Sequence, residues 1–328
     1  METRRHFLQY SIAMMAGLTA CSQSGRSTAN KIPVILDTDI GDDIDDTWAL
    51  LMLLRMPQFD VKLAVGDYGN AIYRARLLAK LLEVTGRTDV PVGVGIGRTD
   101  NPGNQSGWLL DYNYRAFPGA MHRDGVQAII DTIHESPEPV TLLCLGPVPN
   151  IAEALKRDPS IASNARIVGM YGSIYTGYEG EESPVAEWNV RADPRSLRAL
   201  FAAPWDITIT PLDTCGLVVL DGDNYQRIHN SNDPWLKVLI DNYKVWLPNA
   251  EYMDPATDPT KVSSTLFDTV AVYLAAEQDL FEMQDLSLRV TDDGYTVIDG
   301  DNGRNVHCAI GWKDLPAFEK VLTGILLG

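Results

Sequence analysis

Six carboxylates occupy ten consecutive positions of the chain, directly after an apolar run at residues 32–36. This acidic segment, residues 37–46, reads Asp37-Thr38-Asp39-Ile40-Gly41-Asp42-Asp43-Ile44-Asp45-Asp46. Carboxylates this crowded at the end of a buried strand repel one another strongly, because a low dielectric does not screen them. We therefore expect a positive group among them, and a hard divalent cation with oxygen ligands is the leading candidate.

The elements that must position these acids alternate between short strands and helices. Runs rich in Val, Ile and Leu predict buried strands at 34–36, 61–65, 92–94, 140–145, 167–170 and 207–209. Helices are predicted at 45–54, 72–84, 125–135, 150–157, 194–201, 235–246, 267–276 and 315–326. The alternation indicates an α/β fold, a single domain with a mainly parallel, Rossmann-like central sheet flanked by helices. Residues 286–309 predict a small antiparallel meander near the C-terminus.

Polar side chains follow several of the predicted strands at the point where each strand ends. The acidic segment follows the first strand, Asn70 follows the second, and residues 146–150 follow the fourth. Glu187 and Asn189 follow the fifth. Because ligands of open α/β sheets bind at the carboxyl ends of the strands, we expect these segments to converge on one site.

Composition and charge restrict the class of partner. The chain has 328 residues, of which 45% are hydrophobic and 22% charged, as in an ordinary globular protein. Its formal net charge of −17 disfavours nucleic acid as a partner, because phosphates would be repelled. Cys144, Cys215 and Cys308 are expected to be small core residues and not a disulfide framework.

Residues 1–31 are interpreted as an export signal and a tether. Residues 1–20 contain Arg4-Arg5 and then a short apolar stretch, which resembles a twin-arginine signal peptide. The following Cys21 ends a segment that resembles a lipobox, and the polar residues 21–31 predict a flexible tether. We therefore expect an exported protein, periplasmic or in the cell envelope, held at a membrane only by a lipid on Cys21. The alternative is a frayed or amphipathic N-terminus with a coincidental arginine pair and cysteine.

Residues 32–328 resemble the inosine-uridine preferring nucleoside hydrolases. The matching segments are VILDTDIGDDIDDTWALL (34–51), VGDYGN (65–70), LLCLGPVPNIAEAL (142–155), AEWNVRADP (186–194), ITPLDT (209–214) and LFDTVAVYL (266–274). The acidic motif is highly specific, and the others are weaker alone. The resemblance implies a single α/β domain, a calcium ion at the strand ends, and hydrolysis of an N-ribosidic bond in a ribonucleoside or related small molecule.

The resemblance also assigns roles to eight residues. Asp39 would bind calcium and act as the base on its water, while Asp46, Asp268 and the main-chain carbonyl of Pro149 would complete the metal ligands. A backbone ligand tolerates proline, because proline keeps its carbonyl and loses only its N–H. The ribose hydroxyls would be held by Asp45, Asn70, Glu187 and Asn189.

Several of these residues also have a structural interpretation. Asp42, Asp43 or Asp45 could be the N-cap of the helix that follows the acidic segment, Asp268 could cap the helix that begins at residue 269, and Asn70 could be a turn residue after a glycine. Glu187 and Asn189 could be solvated loop residues.

Two features depart from the family pattern. The family motif has fewer residues between its Gly and its paired Asp, so the pair could be Asp42-Asp43 instead of Asp45-Asp46; we prefer the latter because a family-like helix follows it. The second departure is Phe267, which stands where the best-known members carry a histidine that protonates the departing base. Some members instead stack the base between aromatic rings, and this chain offers Trp108, Trp188, Trp246, Tyr171, Tyr175, Tyr178 and Phe267 for that purpose.

The leading hypothesis is therefore a calcium-dependent N-ribohydrolase. A catalytically impaired riboside- or sugar-binding lipoprotein is the alternative that Phe267 permits. A phosphotransferase that uses Asp37-Thr38-Asp39 as its nucleophile motif is disfavoured, because Ile40-Gly41 follows where that chemistry needs other residues. The sequence leaves the base preference and the oligomeric state open, with a homodimer or homotetramer as candidates.

Overall fold

The computed structural model describes residues 31–328. Ten strands form one sheet: β1 (Ile32–Thr38), β2 (Phe59–Gly66), β3 (Val92–Val94), β4 (Met121–His122), β5 (Val140–Cys144), β6 (Ala165–Met170), β7 (Ile207–Thr210), β8 (Phe281–Val290), β9 (Thr296–Ile298) and β10 (Arg304–Trp312). Their spatial order is β4-β3-β2-β1-β5-β6-β7-β10-β8-β9. Strands β1 to β7 and β10 pair in parallel, while β8 pairs antiparallel with both β10 and β9.

Helices connect these strands and cover the sheet. They are α1 (Asp45–Arg55), α2 (Ala71–Val84), α3 (Ser106–Leu109), α4 (Gly125–Glu135), α5 (Pro149–Arg157), α6 (Trp188–Ala192), α7 (Pro194–Ala202), α8 (Leu212–Cys215), α9 (Gly222–His229), α10 (Pro234–Trp246), α11 (Phe267–Leu274) and α12 (Leu315–Leu327). Buried side chains form two hydrophobic clusters, one containing Trp48 and Trp246 and the other containing Ile129 and Trp205. All residues of β5 are buried, which agrees with its mainly apolar sequence.

The predicted α/β fold with a mainly parallel sheet is confirmed. The C-terminal strands differ from the prediction in their order, because β10 lies between β7 and β8 and does not neighbour β9. The predicted antiparallel addition near the C-terminus is confirmed, since β8 pairs antiparallel with β9 and β10, and it extends the main sheet. Cys144, Cys215 and Cys308 are buried and free, as expected.

The predicted signal peptide, Cys21 and nearly all of the predicted tether lie outside the described residues. Within residues 31–328, no helix has both the length and the apolar character needed to span a membrane.

Candidate active site

A cavity of about 660 Å³ opens at the carboxyl ends of the central strands. Of the eight predicted site residues, six line it: Asp39, Asp45, Asp46, Glu187, Asn189 and Asp268. Asp39 directly follows β1, whereas Glu187 and Asn189 lie on the long connection between β6 and β7. The cavity therefore lies where an open α/β sheet normally binds its ligand.

Three carboxylates converge at the base of this cavity from two helix N-termini. Asp45 and Asp46 lie in the first turn of α1, and Asp268 lies in the first turn of α11. One carboxylate oxygen of each lies within 4.8 Å of the others. The Asp268 amide donates to Asp45 Oδ2 at 3.0 Å. The positive ends of both helix dipoles favour negative charge at these positions, which partly offsets the mutual repulsion.

Asp39 belongs to the same acidic group, although its oxygens are not part of the three-carboxylate cluster. Its electrostatic influence contributes to the raised pKa of both Asp46 and Asp268, which shows that the charges are close. Asp46 in turn is oriented by a hydrogen bond from the Thr38 hydroxyl to Asp46 Oδ1. The end of β1 and the start of α1 are thereby joined through a side chain.

Burial raises the pKa of every carboxyl in this group. The pKa of Asp39 rises to about 7, against the opposing effect of the Arg74 guanidinium. Burial, reinforced by neighbouring carboxylates, raises the pKa of Asp45, Asp46 and Asp268 well above the ordinary range. Such a cluster gains stability from a bound cation, because the cation opposes both the desolvation and the repulsion.

The structure distinguishes between the two Asp pairs of the acidic segment. Asp45 and Asp46 are buried and approach Asp268, as preferred from the sequence. Asp42 instead forms an ion pair with Arg74 at 2.7 Å, and Asp43 Oδ1 accepts from the Ile44 amide at 2.6 Å. None of the residues from Asp42 to Asp46 caps α1 with its side chain. The capping interpretation is therefore wrong for this helix.

Glu187 and Asn189 are held in place by hydrogen bonds to the backbone. Glu187 caps α6 and accepts from the amides of Gly172, Asn189 and Val190 at 3.0, 2.7 and 3.3 Å. Asn189 Nδ2 donates to the carbonyl of Leu145 at 2.9 Å and to that of Met170 at 3.1 Å. These donations leave the Asn189 side-chain oxygen as the group available to a ligand. Both residues are buried, so they are not the solvated loop residues of the alternative interpretation.

Asn70 and Pro149 are not among the residues that line the cavity. Asn70 caps α2: its Oδ1 accepts from the Tyr73 amide at 3.0 Å, and its Nδ2 donates to the Asn101 carbonyl at 3.2 Å. Pro149 is the first residue of α5, behind Val148, which adopts a left-handed backbone conformation with φ of 46°. Neither residue therefore lines the cavity with the six others, and Asn70 has the turn-and-cap role that the sequence left open.

An aromatic wall, formed by Phe267, Tyr178 and Trp188, stands on another side of the cavity. The rings of Tyr178 and Phe267 meet edge to face with centroids 6.0 Å apart, and the Trp188 amide donates to the Tyr178 hydroxyl at 2.9 Å. The Arg191 guanidinium lies 5.3 Å from the Trp188 ring centroid. No histidine within residues 31–328 lines the cavity. Of the aromatic residues proposed from sequence, only these three line it.

Sequence reasoning missed Tyr252, which also lines the cavity, and the buried Arg74 and Asp67 behind it. Arg74 lies one helical turn after Asn70, where the pattern of α2 indicates an ordinary helix residue. The signal that could have revealed it is the demand for a positive group near the acidic segment.

The donor set fits a hard cation. All the side chains of the cluster supply carboxylate oxygens, the ligands that calcium and magnesium prefer. Moreover, the Asp268 side chain is buried and lines the cavity. Such a site, next to a cavity with aromatic and hydrogen-bonding walls, defines a hydrolase that uses a metal ion on a small polar substrate.

Comparisons with known proteins identify the class more closely. Residues 34–320 match the family model of the inosine-uridine preferring nucleoside hydrolases. The chain is 29% identical over 269 residues to the pyrimidine-specific ribonucleoside hydrolase RihA of Escherichia coli O127:H6, covering 75% of this chain and 84% of the relative. The chain thus belongs to the inosine-uridine preferring nucleoside hydrolase family, metal-dependent enzymes that hydrolyse the N-glycosidic bonds of ribonucleosides.

Solved structures show the same fold. The plant nucleoside hydrolase PpNRh1 superimposes with a TM-score of 0.75 at 22% identity, over 90% of this chain and 99% of that one. The inosine-uridine preferring nucleoside hydrolase of Bacillus anthracis gives a TM-score of 0.72 at 20% identity, with the same coverage of both chains. These likenesses confirm the architecture of the single domain.

Proposed function

We propose that this protein is a calcium-dependent N-ribohydrolase that releases ribose and a free base from ribonucleosides or related N-ribosides. The observation that carries the proposal is the cluster of Asp45, Asp46 and Asp268, whose oxygens lie within 4.8 Å of one another beside Asp39. Calcium is favoured over magnesium because its shell is larger and more flexible, and so it can include two substrate hydroxyls. When bound, the ion would supply Lewis acidity that lowers the pKa of a water ligand.

Asp39 is the proposed general base. Its carboxylate would take a proton from the attacking water, whose oxygen forms a bond to the anomeric carbon while the bond from that carbon to the base nitrogen breaks. This transition state has oxocarbenium character, so the surrounding carboxylates stabilise its positive charge.

The ribose would lie between the carboxylates and the β6–β7 connection. Asp45, Glu187 and Asn189 supply the proposed hydroxyl contacts, and the backbone bonds of Glu187 and Asn189 fix their orientation before substrate arrives. A deoxyribonucleoside would lack one of these contacts and one metal ligand, so it is expected to react more slowly. Asn70 remains a predicted ribose contact and the carbonyl of Pro149 a predicted metal ligand, although neither residue lines the cavity.

Stacking is the proposed means of activating the base. Phe267 cannot donate a proton, and no described histidine lines the cavity. The rings of Phe267, Tyr178 and Trp188 could instead stack on the base and favour its protonation by solvent. The names of relatives and similar structures include a pyrimidine-specific and a purine-preferring enzyme, so they do not define the base that this wall selects.

A ribonucleoside panel tests this proposal. Purified protein is incubated with purine and pyrimidine ribonucleosides in calcium and in chelator, and release of free base is measured, with Asp39→Asn as the inactive control. Release that requires calcium supports the proposal. Tight ribose binding by calorimetry without release from any N-riboside would favour the alternative, a sugar-binding protein without turnover.

We further propose that the protein is exported and attached to a membrane through lipid on Cys21. The arginine pair followed by a short apolar stretch and the lipobox-like sequence support this proposal. Mass spectrometry of protein from a native host should find a lipid-modified residue 21 at the N-terminus. An unmodified chain that begins at residue 1 would contradict it, and Cys21→Ser is the matched control.

A further inference from the structure

A buried arginine lies directly behind the acidic segment. The Arg74 side chain has no exposed surface, although it carries a full charge. Its Nη1 donates to the carbonyls of Asp39 and Ile40, the latter at 2.9 Å. Its Nη2 donates to Asp42 Oδ2 at 2.7 Å. A buried charge is costly unless it is paired and hydrogen-bonded, and Arg74 meets both conditions only because the acidic segment surrounds it.

The loop between β2 and α2 is shaped to admit this side chain. A Cβ at Gly66 would lie 2.5 Å from Arg74 Cβ, and a Cβ at Gly69 would collide with Arg74 Nη2. Tyr68 adopts φ of 52°, which few non-glycine residues do, and its carbonyl accepts from Arg74 Nε at 3.1 Å. Tyr68 and Gly69 thus adapt to the guanidinium of Arg74, whereas Gly66 makes room for the Cβ at position 74.

Arg74 also supplies a positive charge that no other side chain in the described part of the chain supplies to these carboxylates. Among residues 31–328, no other Lys, Arg or His forms an ion pair with the acidic segment or with Asp268; the one ion pair there joins Arg74 to Asp42. The contacts of Arg74 extend beyond this pair, since its guanidinium also donates to the carbonyls of Asp39 and Ile40.

We propose that Arg74 is a built-in counter-cation, which keeps the acidic segment folded when no metal ion occupies the carboxylate site. The proposal rests on the proposed function only in its assumption that the site binds calcium. Calcium and Arg74 then compensate the same negative charge, so each partly replaces the other. In a purely structural role, Arg74 would contribute the same stability with or without metal.

The charge-neutral variant Arg74→Met tests this by thermal unfolding in chelator and in saturating calcium. We expect Arg74→Met to lower Tm by about 3 °C less, or by a still larger difference, in calcium than in chelator. The interaction free energy between charges that share the same partners is of this size. By linkage, calorimetry should show calcium binding to Arg74→Met about three- to tenfold more tightly than to the wild type. Arg74→Lys keeps the charge and should resemble the wild type in its calcium response.

Arg304→Met is the matched control, because Arg304 also donates to a backbone carbonyl, that of Trp205, but lies in β10, which is separated from β2 by four strands of the sheet. Its loss in Tm should be equal in both buffers. An equal loss for Arg74→Met in both buffers, with unchanged calcium affinity, would overturn the proposal. Tighter binding would not be expected from damage to the fold alone.

A second arm needs no metal and separates this proposal from the calcium assignment. In chelator, Arg74→Met should lower Tm by less in an Asp39→Asn background than in the wild type. The reason is that the negative charge of Asp39, which Arg74 compensates, is absent from that background. Equal costs would overturn the counter-cation role even if calcium binds. If the wild type shows no response to calcium, the calcium assignment fails, and the experiment in chelator alone tests the counter-cation role of Arg74. If Arg74→Met does not fold in chelator, the double variant Arg74→Met with Asp39→Asn should still fold there. A double variant that also fails to fold in chelator would overturn the proposal.

Discussion

Replacing Asp268 with asparagine should stabilise the metal-free protein and remove its response to calcium. The Asp268 carboxylate is buried within 4.8 Å of oxygens of Asp45 and Asp46, and no described residue donates a hydrogen bond to it. Asparagine has nearly the same shape, so the substitution mainly removes charge. Most substitutions of buried aspartates destabilise a protein, which makes the expected sign informative.

The size of the effect follows from the separations. Two unit charges 4.8 Å apart repel by about 3 kcal/mol at an effective dielectric of 20. Partial protonation relieves part of this repulsion, because the pKa values of these carboxyls are raised. We therefore expect Asp268→Asn to gain about 1–3 kcal/mol in chelator, which raises Tm by about 2–6 °C. At calcium concentrations near a thousand times Kd, the wild type should gain about 4 kcal/mol and the variant little, so their order inverts.

Thermal unfolding in mildly alkaline buffer, with chelator or with calcium, measures both effects. Asp213→Asn is the matched control, because the buried carboxylate of Asp213 accepts from the amides of Ile174, Tyr175 and Thr176 at 2.8, 2.7 and 3.2 Å. This control should lose stability equally in both buffers. If Asp268→Asn is destabilised in chelator and keeps the calcium response of the wild type, the cluster is not a repulsive cation site.

Three further outcomes are expected. Asp39→Asn should lower kcat by about 10²–10⁴-fold, as for loss of a general base, while circular dichroism shows an unchanged fold; substantial residual turnover would exclude Asp39 as the base. Trp188→Ala should lower kcat/KM for ribonucleosides by about 10–100-fold if the ring stacks on the base, and an unchanged value would remove Trp188 from the site. Burial raises the pKa of Glu187 to about 7, so the folded state binds the proton more tightly and stability falls as pH rises from about 4.5 to 7. Over that range the wild type should lose about 3 kcal/mol more than Glu187→Gln in denaturant titrations, and parallel pH profiles would show that Glu187 has an ordinary pKa.

The parallel part of the fold could be predicted from sequence because each strand is a continuous apolar run between polar segments. The predicted strand at 140–145 and the observed β5 differ by one residue. In contrast, β4 has only two residues, and α3, α6 and α8 have four or five, so none is long enough for a hydrophobic pattern to repeat. The order of β8, β9 and β10 depends on tertiary pairing and was predicted wrongly.

The site could be predicted where function requires a residue type at a fixed place beside a strand end. Asp39 and Glu187 satisfy this condition, and both line the cavity. Asn70 satisfies it equally well, yet its side chain caps α2, because position after a strand does not determine where an amide points. Arg74 was missed for the converse reason: a helix pattern shows which face is buried, but not that a buried position holds a charge.

The charge around the cavity suggests why both a metal ion and an arginine would be useful. The four carboxylates of Asp39, Asp45, Asp46 and Asp268 carry a formal charge of −4 when all are ionised, and the charge of Arg74 beside them is paired with Asp42. A divalent cation would reduce the charge of the four carboxylates to −2, so negative charge would remain where a ribose ring develops positive charge. Without Arg74 the metal-free cluster would have to take up more protons, and a protonated Asp39 could not act as a base. The same guanidinium that allows the acidic segment to fold would thus also keep its base ready for catalysis.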